Sequence, residues 1–326
     1  MILGLDIGGA NTKIASSNGY ARSIYFPIWK GKDLGGLLKD EIYRLEPEAV
    51  GVTLTCELAD SFLSRKEGVL HISGIISDLL PEAYFFAIDG RFYDPVFLRS
   101  HPEMFFASNW LASSMFLGAE FEDLIFVDMG STTTDIIPIL SGKPRAALTD
   151  LERLKRGELI YTGILRTNVA TVVDRVLLDG IPCRIASEYF AIMADVYLVL
   201  GKIGREKYTC DTPNPYASGG GKSREEASRR LARLVCSDVE ELGMDRIIEI
   251  ARYIASSQKN EIKDAISSIY HRYGVDLVVC GGTGEFLIRE VAEDLGLESI
   301  SLSRRYSREI SDVFPAYAIS KMLEGR

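Results

Sequence analysis

Apolar positions open the chain in short blocks. Ile2 to Ile7 reads as an apolar strand, Asn11 to Ser17 as a second and Tyr20 to Phe26 as a third. Gly8-Gly9 and Asn18-Gly19 separate them, and both pairs suit the positive φ of tight turns. The spacing then becomes helical. Leu34, Leu37, Leu38, Ile42 and Leu45 share one face of a helix predicted over Asp33 to Leu45. A buried strand is expected from Ala49 to Thr55, helix or paired helices over 57–80, a strand from Tyr84 to Ile88 and a helix from Ala107 to Gly118.

The opening pattern then returns. Leu124 to Met129 reads as a strand, Gly130-Ser131 as a turn and Thr132 to Leu140 as a second strand closed by Ser141-Gly142. Asp6, Gly8 and Thr12 align with Asp128, Gly130 and Thr134, and Lys13 falls on Asp135. A repeat of this length is no solenoid period. It implies two related lobes, drawn here as 1–120 and 121–326, the second with a helical insertion at about 145–272. Residues 141–222 read as irregular up to a helix near Ser187 to Leu200, with a Pro- and Gly-rich loop at 209–222. Helices are predicted over Ser223 to Cys236 and Asp245 to Tyr273. A buried strand, Leu277 to Cys280, runs into Gly281-Gly282-Thr283-Gly284, which opens a helix to Leu295. A last helix spans Ser311 to Leu323, with Pro315 in its first turn.

Composition narrows the class. The chain has 326 residues, 47% hydrophobic and 25% charged, which excludes a disordered chain. Its net charge of -9 argues against a nucleic-acid partner. The uncharged run from Met104 to Ala119 falls short of the ~20 apolar residues of a membrane span and reads as a buried helix. The first residues lack the basic and apolar regions of a secretory signal, so a cytoplasmic location is expected. Five scattered Cys and three distant His (His71, His101, His271) fit neither a disulfide framework nor a zinc site. Homo-oligomers stay open.

Three segments carry candidate chemistry. In the first, Asp6 ends a strand, Gly8, Gly9, Asn11 and Thr12 form and leave a turn, and Lys13 stands on the returning strand. A carboxylate there can face a metal or its waters, while glycine backbone lets N–H groups approach phosphate oxygens. A solvated hairpin is the plain alternative. In the second, Asp128, Gly130, Ser131, Thr132 and Thr133 offer a carboxylate, a turn and three hydroxyls, though β propensity alone also favours threonine. In the third, Gly281, Gly282 and Gly284 enter a helix whose N-terminus suits an anion. Taken alone, that segment reads as a turn with packing glycines. Two resemblances are dismissed. Gly221-Lys222-Ser223 lacks the upstream Gly of a P-loop, where Tyr216 stands, and Leu287 replaces the third Gly of a dinucleotide fingerprint.

Together the three segments resemble the actin, sugar kinase and heat-shock-protein nucleotidase superfamily in order and spacing. The resemblance implies an α/β fold: two ribonuclease-H-like (actin-like ATPase) lobes with mixed sheets and an interlobe cleft. A metal–phosphate group would lie between Asp6, Lys13 and the Asp128 loop, with Asp6 and Asp128 on the metal and Mg²⁺ as the expected ion. Further segments narrow the family. Val52 to Asp60 (VTLTCELAD), Gly157 to Thr167 (GELIYTGILRT) and Arg224 to Asp238 resemble the hydantoinase/oxoprolinase relatives. The best fit is a short single-chain branch tied to tetrahydromethanopterin-linked one-carbon metabolism.

That resemblance implies a diphosphate-releasing transferase of methanofuran biosynthesis. It would join an aminomethylfuran-methyl diphosphate to the phenol of γ-glutamyltyramine as an aryl ether. The expected catalytic residues are Glu57 and Asp60 as candidate bases, Lys13 at the diphosphate and Arg166 on an anionic group or in a buried pair. Glu57 as a helix cap with Asp60 solvated is the plain reading of the same positions. Tyr161 reads as packing. Cys56 stands where relatives commonly carry Gly, and its side chain is expected to narrow the loop. An ATP-dependent small-molecule kinase or oxoprolinase-like amide hydrolase would use the same phosphate loops. An actin-like assembly protein ranks last, because no segment demands filament contacts.

Overall fold

The computed structural model describes residues 1–216 and 220–326, so the 209–222 loop lies partly outside the described residues. The first sheet uses β1 (Ile2–Gly8), β2 (Asn11–Ser16), β3 (Ala21–Tyr25), β4 (Ala49–Thr55), β5 (Tyr84–Phe86) and β6 (Phe92–Tyr93). Its order is β3-β2-β1-β4-β5-β6. The first three strands form an antiparallel meander, and β4 and β5 then run parallel to β1.

The second sheet uses β7 (Leu124–Met129), β8 (Thr134–Leu140), β9 (Lys143–Pro144) and β10 (Leu159–Ile160). After a separate hairpin, β11 (Arg175–Leu178) and β12 (Ile181–Arg184), it is completed by β13 (Leu277–Gly281) and β14 (Glu298–Ser301). Its order is β10-β8-β7-β13-β14, with β9 alongside β8. Both sheets therefore share one scheme: three antiparallel strands, then two parallel ones added on the other side of the first. This is the two-lobed mixed α/β architecture expected from the repeat. The register carries it to single residues, since Asp6 pairs with Lys13 and Asp128 with Asp135.

Strand alternation sorts the side chains into three cores. Leu3, Leu5 and Ile7 pack outward under the helices Leu34–Leu45 and Arg65–Leu79. Ile125, Val127 and Met129 pack outward in the second lobe. Between the sheets, Phe86, Phe92, Phe126 and Ile137 meet the helices Asn109–Gly118 and Phe314–Glu324. The same alternation puts Gly4 and Asp6 on the inner face. Gly4 and its partner Gly51 seat the helix Phe314–Glu324: a Cβ on Gly4 would overlap the Ala316 carbonyl, and one on Gly51 would lie 2.6 Å from Ile319 Cγ2.

Several elements differ from the sequence reading. Of 57–80, only Arg65–Leu79 is helical, because Ser64 supplies the N-cap, accepting from the Glu67 N–H. The segment 145–272 holds β10 and the β11–β12 hairpin as well as helices. The helix ending at Tyr273 starts at Val239 and breaks at Gly243. The last predicted helix is two, Arg308–Asp312 and Phe314–Glu324, with Pro315 in the first turn of the second. Each sheet has six strands, the sixth a two-residue edge, β6 in the first and β9 in the second. A two-residue edge such as β6 leaves no alternation to read.

Candidate functional site

The sheets' parallel strands end at a cleft of about 700 Å³ between the lobes. Asp6, at the end of β1, is buried there and accepts a hydrogen bond from Thr55 Oγ1 at 3.3 Å. Lys13 Nζ lies 3.5 Å from Asp6 Oδ2. Burial raises the Asp6 carboxyl above its ordinary range, and Lys13 opposes that rise. On Lys13, burial favours the neutral amine, but Asp6, Asp128 and Asp135 outweigh it and hold the ammonium. Asp128 is pushed up to about 7, chiefly by burial; Lys13 opposes the rise, while Asp135, Asp6 and Asp312 add to it.

The two phosphate-loop candidates meet across the cleft, where Asn11 Nδ2 donates to Ser131 Oγ at 3.0 Å. Gly8, Gly9, Gly130, Thr132 and Thr133 line the same space. The second loop closes with the Gly130 N–H donating to the Thr133 carbonyl. It is braced from behind by residues 162–167. Gly163 lies so close that a Cβ would overlap the Thr132 nitrogen, and the Leu165 and Arg166 N–H groups donate to the Ser131 carbonyl. Buried Gln258 holds that brace, donating to Thr162 Oγ1 at 2.7 Å and the Gly163 carbonyl at 2.9 Å, and accepting from the Tyr197 hydroxyl at 2.6 Å. The YTGILRT part of the sequence motif is thus mainly scaffold for the loop.

The third segment contributes less than its glycines imply. Gly282, at φ +80, presses against the Asp128 carboxylate and lines the cleft with Thr283. Gly281 packs beside Leu302, Gly284 against Met129, and neither lines the cleft. Thr12 is also buried away from it. Alternation explains this: Thr12 lies between Asn11 and Lys13, which face the ligand space.

Glu57 follows β4 and lines the cleft at 2% exposure. Its Oε1 accepts from Arg65 Nη2 at 3.0 Å, while its Oε2 is buried without a hydrogen-bond partner. Burial raises its carboxyl above the ordinary range, with Arg65 opposing. It caps no helix, because Ser64 does so. Asp60 lines the cleft too, but is exposed. Arg166 is half-buried and sits in no buried ion pair: its Nη1 donates to Thr132 Oγ1 at 3.1 Å, and its guanidinium lies 4.8 Å above Trp29 of the other lobe. The Cys56 side chain turns into the first lobe's core rather than narrowing the loop. His101 stacks on Phe97, and His71 lies against Phe62.

Sequence reasoning missed part of the lining. Arg153 is buried, bridges Asp135 and Asp150, and lies over Trp110. Lys207 pairs with Asp312 at 2.5 Å. Tyr161 is 70% exposed at the cleft, not packed. No local motif marks Arg153 or Lys207, and Tyr161 sits within the 157–167 motif without a sign of its exposure; the three converge only in three dimensions.

Among the described residues, nine carboxylates and five cationic side chains line the cleft. Acidic side chains thus outnumber basic ones around the cleft. Among those residues no group of three or more His, Cys, Asp or Glu is arranged to hold a metal. Mg²⁺ needs none, since it takes one or two carboxylates and completes its shell with phosphate oxygens and water. Asp6 and Asp128, both buried and under-neutralised, fit that role. No helix among the described residues is long and apolar enough to cross a membrane.

Comparison with known proteins places the chain. It is 39% identical over 331 residues to a Methanocaldococcus jannaschii protein named (4-{4-[2-(gamma-L-glutamylamino)ethyl]phenoxymethyl}furan-2-yl)methanamine synthase, covering 99% of this chain and 98% of the relative. A Methanococcus vannielii protein of the same name is 34% identical over 207 residues, 62% of this chain and 91% of the relative. Among solved structures, a nucleotide-free acetone carboxylase matches with a TM-score of 0.53 at 12% identity, over 94% of this chain. The chain spans about half of that protein's length (51%), and the likeness concerns the fold. The hydantoinase/oxoprolinase model matches residues 48–324, nearly the whole second lobe and half of the first, and the chain belongs to that family.

Proposed function

We propose that this chain is the ether-forming synthase of methanofuran biosynthesis. The observation that carries the reading is the 39% identity, over 99% of the chain, to the synthase from M. jannaschii. The product's name specifies the bond made: a phenol oxygen joined to the methylene on a furan. Our reading of the chemistry is displacement of diphosphate. The phenol of γ-glutamyltyramine attacks the methylene of the aminomethylfuran-methyl diphosphate. The new C–O bond forms, the bond to diphosphate breaks, and the phenol proton passes to a base.

Glu57 suits that base. It is held by Arg65 through one oxygen, and the other is free to accept a proton. Its burial strengthens it as a base toward a phenol with a reference pKa of about 10. Lys13 keeps its charge among three carboxylates and offers it to the departing diphosphate. Asn11, Ser131 and Thr132 place hydrogen-bonding groups along the phosphates. Mg²⁺ held by Asp6 and Asp128 would supply further charge neutralisation for the leaving group. Arg166 positions Thr132 rather than meeting the reacting atoms.

The test is to incubate the protein with furan-methyl diphosphate and γ-glutamyltyramine, with and without ATP, following diphosphate and phosphate separately. Ether formation with ATP-independent diphosphate release supports the synthase. Phosphate release that requires ATP, without ether, overturns it in favour of a kinase or amide hydrolase.

A further inference from the structure

Two large apolar side chains stand uncovered at the cleft. Tyr161 is 70% exposed and Leu58 66% exposed, and both line it. They come from opposite lobes. Tyr161 follows directly on β10, whose Ile160 pairs with Thr134, so it projects beside the second phosphate loop. Leu58 follows Glu57. Asp150, at the start of the helix Asp150–Arg156 in the second lobe, lines the same cleft as Glu57 of the first.

We infer that Leu58 and Tyr161 are the two walls of a seat for the acceptor's aromatic ring, which directs its phenol oxygen at Glu57. The inference rests on the ether-forming reading above and adds the residues that select the acceptor. Exposed apolar walls beside polar groups mark a site that a ligand covers. The free Glu57 oxygen decides which ligand. It is buried and lacks a donor, and an unpaired buried acceptor is costly. A phenol meets both needs at once, with a ring against the apolar walls and an O–H donated to the carboxylate. An aliphatic alcohol would leave the walls wet.

The experiment compares wild type, Tyr161→Ala, Tyr161→Phe and Leu58→Ala. Steady-state kinetics give separate KM values for γ-glutamyltyramine and the furan-methyl diphosphate. Calorimetry gives the γ-glutamyltyramine Kd without donor, and sedimentation gives the association state. Tyr161→Ala is expected to raise the acceptor KM and Kd about ten-fold, the scale of one lost aromatic contact and the area it covered, with the donor KM changed less than about two-fold. Leu58→Ala moves the same constants in the same direction, and Tyr161→Phe recovers most of the affinity. Wild-type turnover alongside an unchanged acceptor KM and Kd in Tyr161→Ala overturns the seat alone. So does a loss of self-association in that variant with acceptor constants unchanged, which would assign the walls to a second copy. Failure of the wild type to bind or alkylate any phenol overturns the seat and the ether-forming reading together.

Discussion

Replacing Glu57 with Gln keeps the side chain's size and planarity and removes its charge. The oxygen that accepts from Arg65 at 3.0 Å has an amide counterpart, so the loop keeps its tie. What disappears is the proton acceptor at the unpartnered oxygen. General-base catalysis contributes typically 10²–10⁴-fold, so kcat should fall by at least about 100-fold, or roughly 2.7 kcal/mol of barrier. The donor KM should stay within about three-fold, because Glu57 lies outside the phosphate loops.

The pH dependence gives the sharper signature. Burial raises the Glu57 carboxyl, so wild-type activity falls as pH drops through that raised value. The variant lacks this limb. Its deficit shrinks as pH rises toward the phenol's reference pKa of about 10, where phenolate needs no base. The stability sign runs the other way from an ordinary ion-paired carboxylate. A raised folded pKa means the group favours folding most in acid, and that contribution is lost as pH rises through it. The neutral Gln should therefore leave Tm at neutral pH nearly unchanged, with the partly exposed Arg65 taken up by water. The assay is a pH–rate series of both proteins with a thermal melt at each pH. A rate ratio that is flat from neutral to alkaline pH, or a deficit confined to the donor KM, refutes the assignment.

Asp6→Asn should fold normally, since burial already disfavours the charge, but lack the Tm increase expected of the wild type with Mg²⁺ and inorganic diphosphate, along with Mg²⁺-dependent turnover. Retention of that Tm increase counts against Asp6 as a ligand. Gln258→Leu strands the Tyr197 hydroxyl and Thr162 Oγ1 in the core and leaves the Gly163 carbonyl only its Thr167 donor, costing about 2–4 kcal/mol in a denaturant titration and raising the donor KM through the loosened Thr132 loop. Gly4→Ala should cost about 1–3 kcal/mol or more, because its methyl group would overlap the Ala316 carbonyl; the unfolding midpoint measures it.

The repeat of strand, Asp, turn and strand was legible because it uses strong local signals. Alternation fixes which face Asp6 and Asp128 take, and Gly turns fix where the strands reverse. The same logic makes Lys13 and Asp135 equivalent positions, each opposite the aspartate of its own loop. The glycines of the third segment were misleading because a Gly that seats Met129 and one that approaches a ligand look alike in sequence. β10 and β9 were invisible, each being two residues long. Arg153 and Tyr161 needed tertiary information of opposite kinds: a charged side chain is buried against Asp135 and Trp110, both distant in the chain, and an aromatic one is left bare.

The helix Phe314–Glu324, seated on Gly4 and Gly51, also sets a timetable for biosynthesis. A ribosome releases the first sheet's strands by Tyr93 and supplies this helix roughly 220 residues later, about 10–40 s at ordinary elongation rates. For that interval the inner face of the first sheet has the helix Asn109–Gly118 beside Phe86 and Phe92 but no cover over the glycine groove. The nascent first lobe therefore keeps an open groove until synthesis is nearly complete. Its completion waits on the second lobe's sheet, which is made first and delivers the helix.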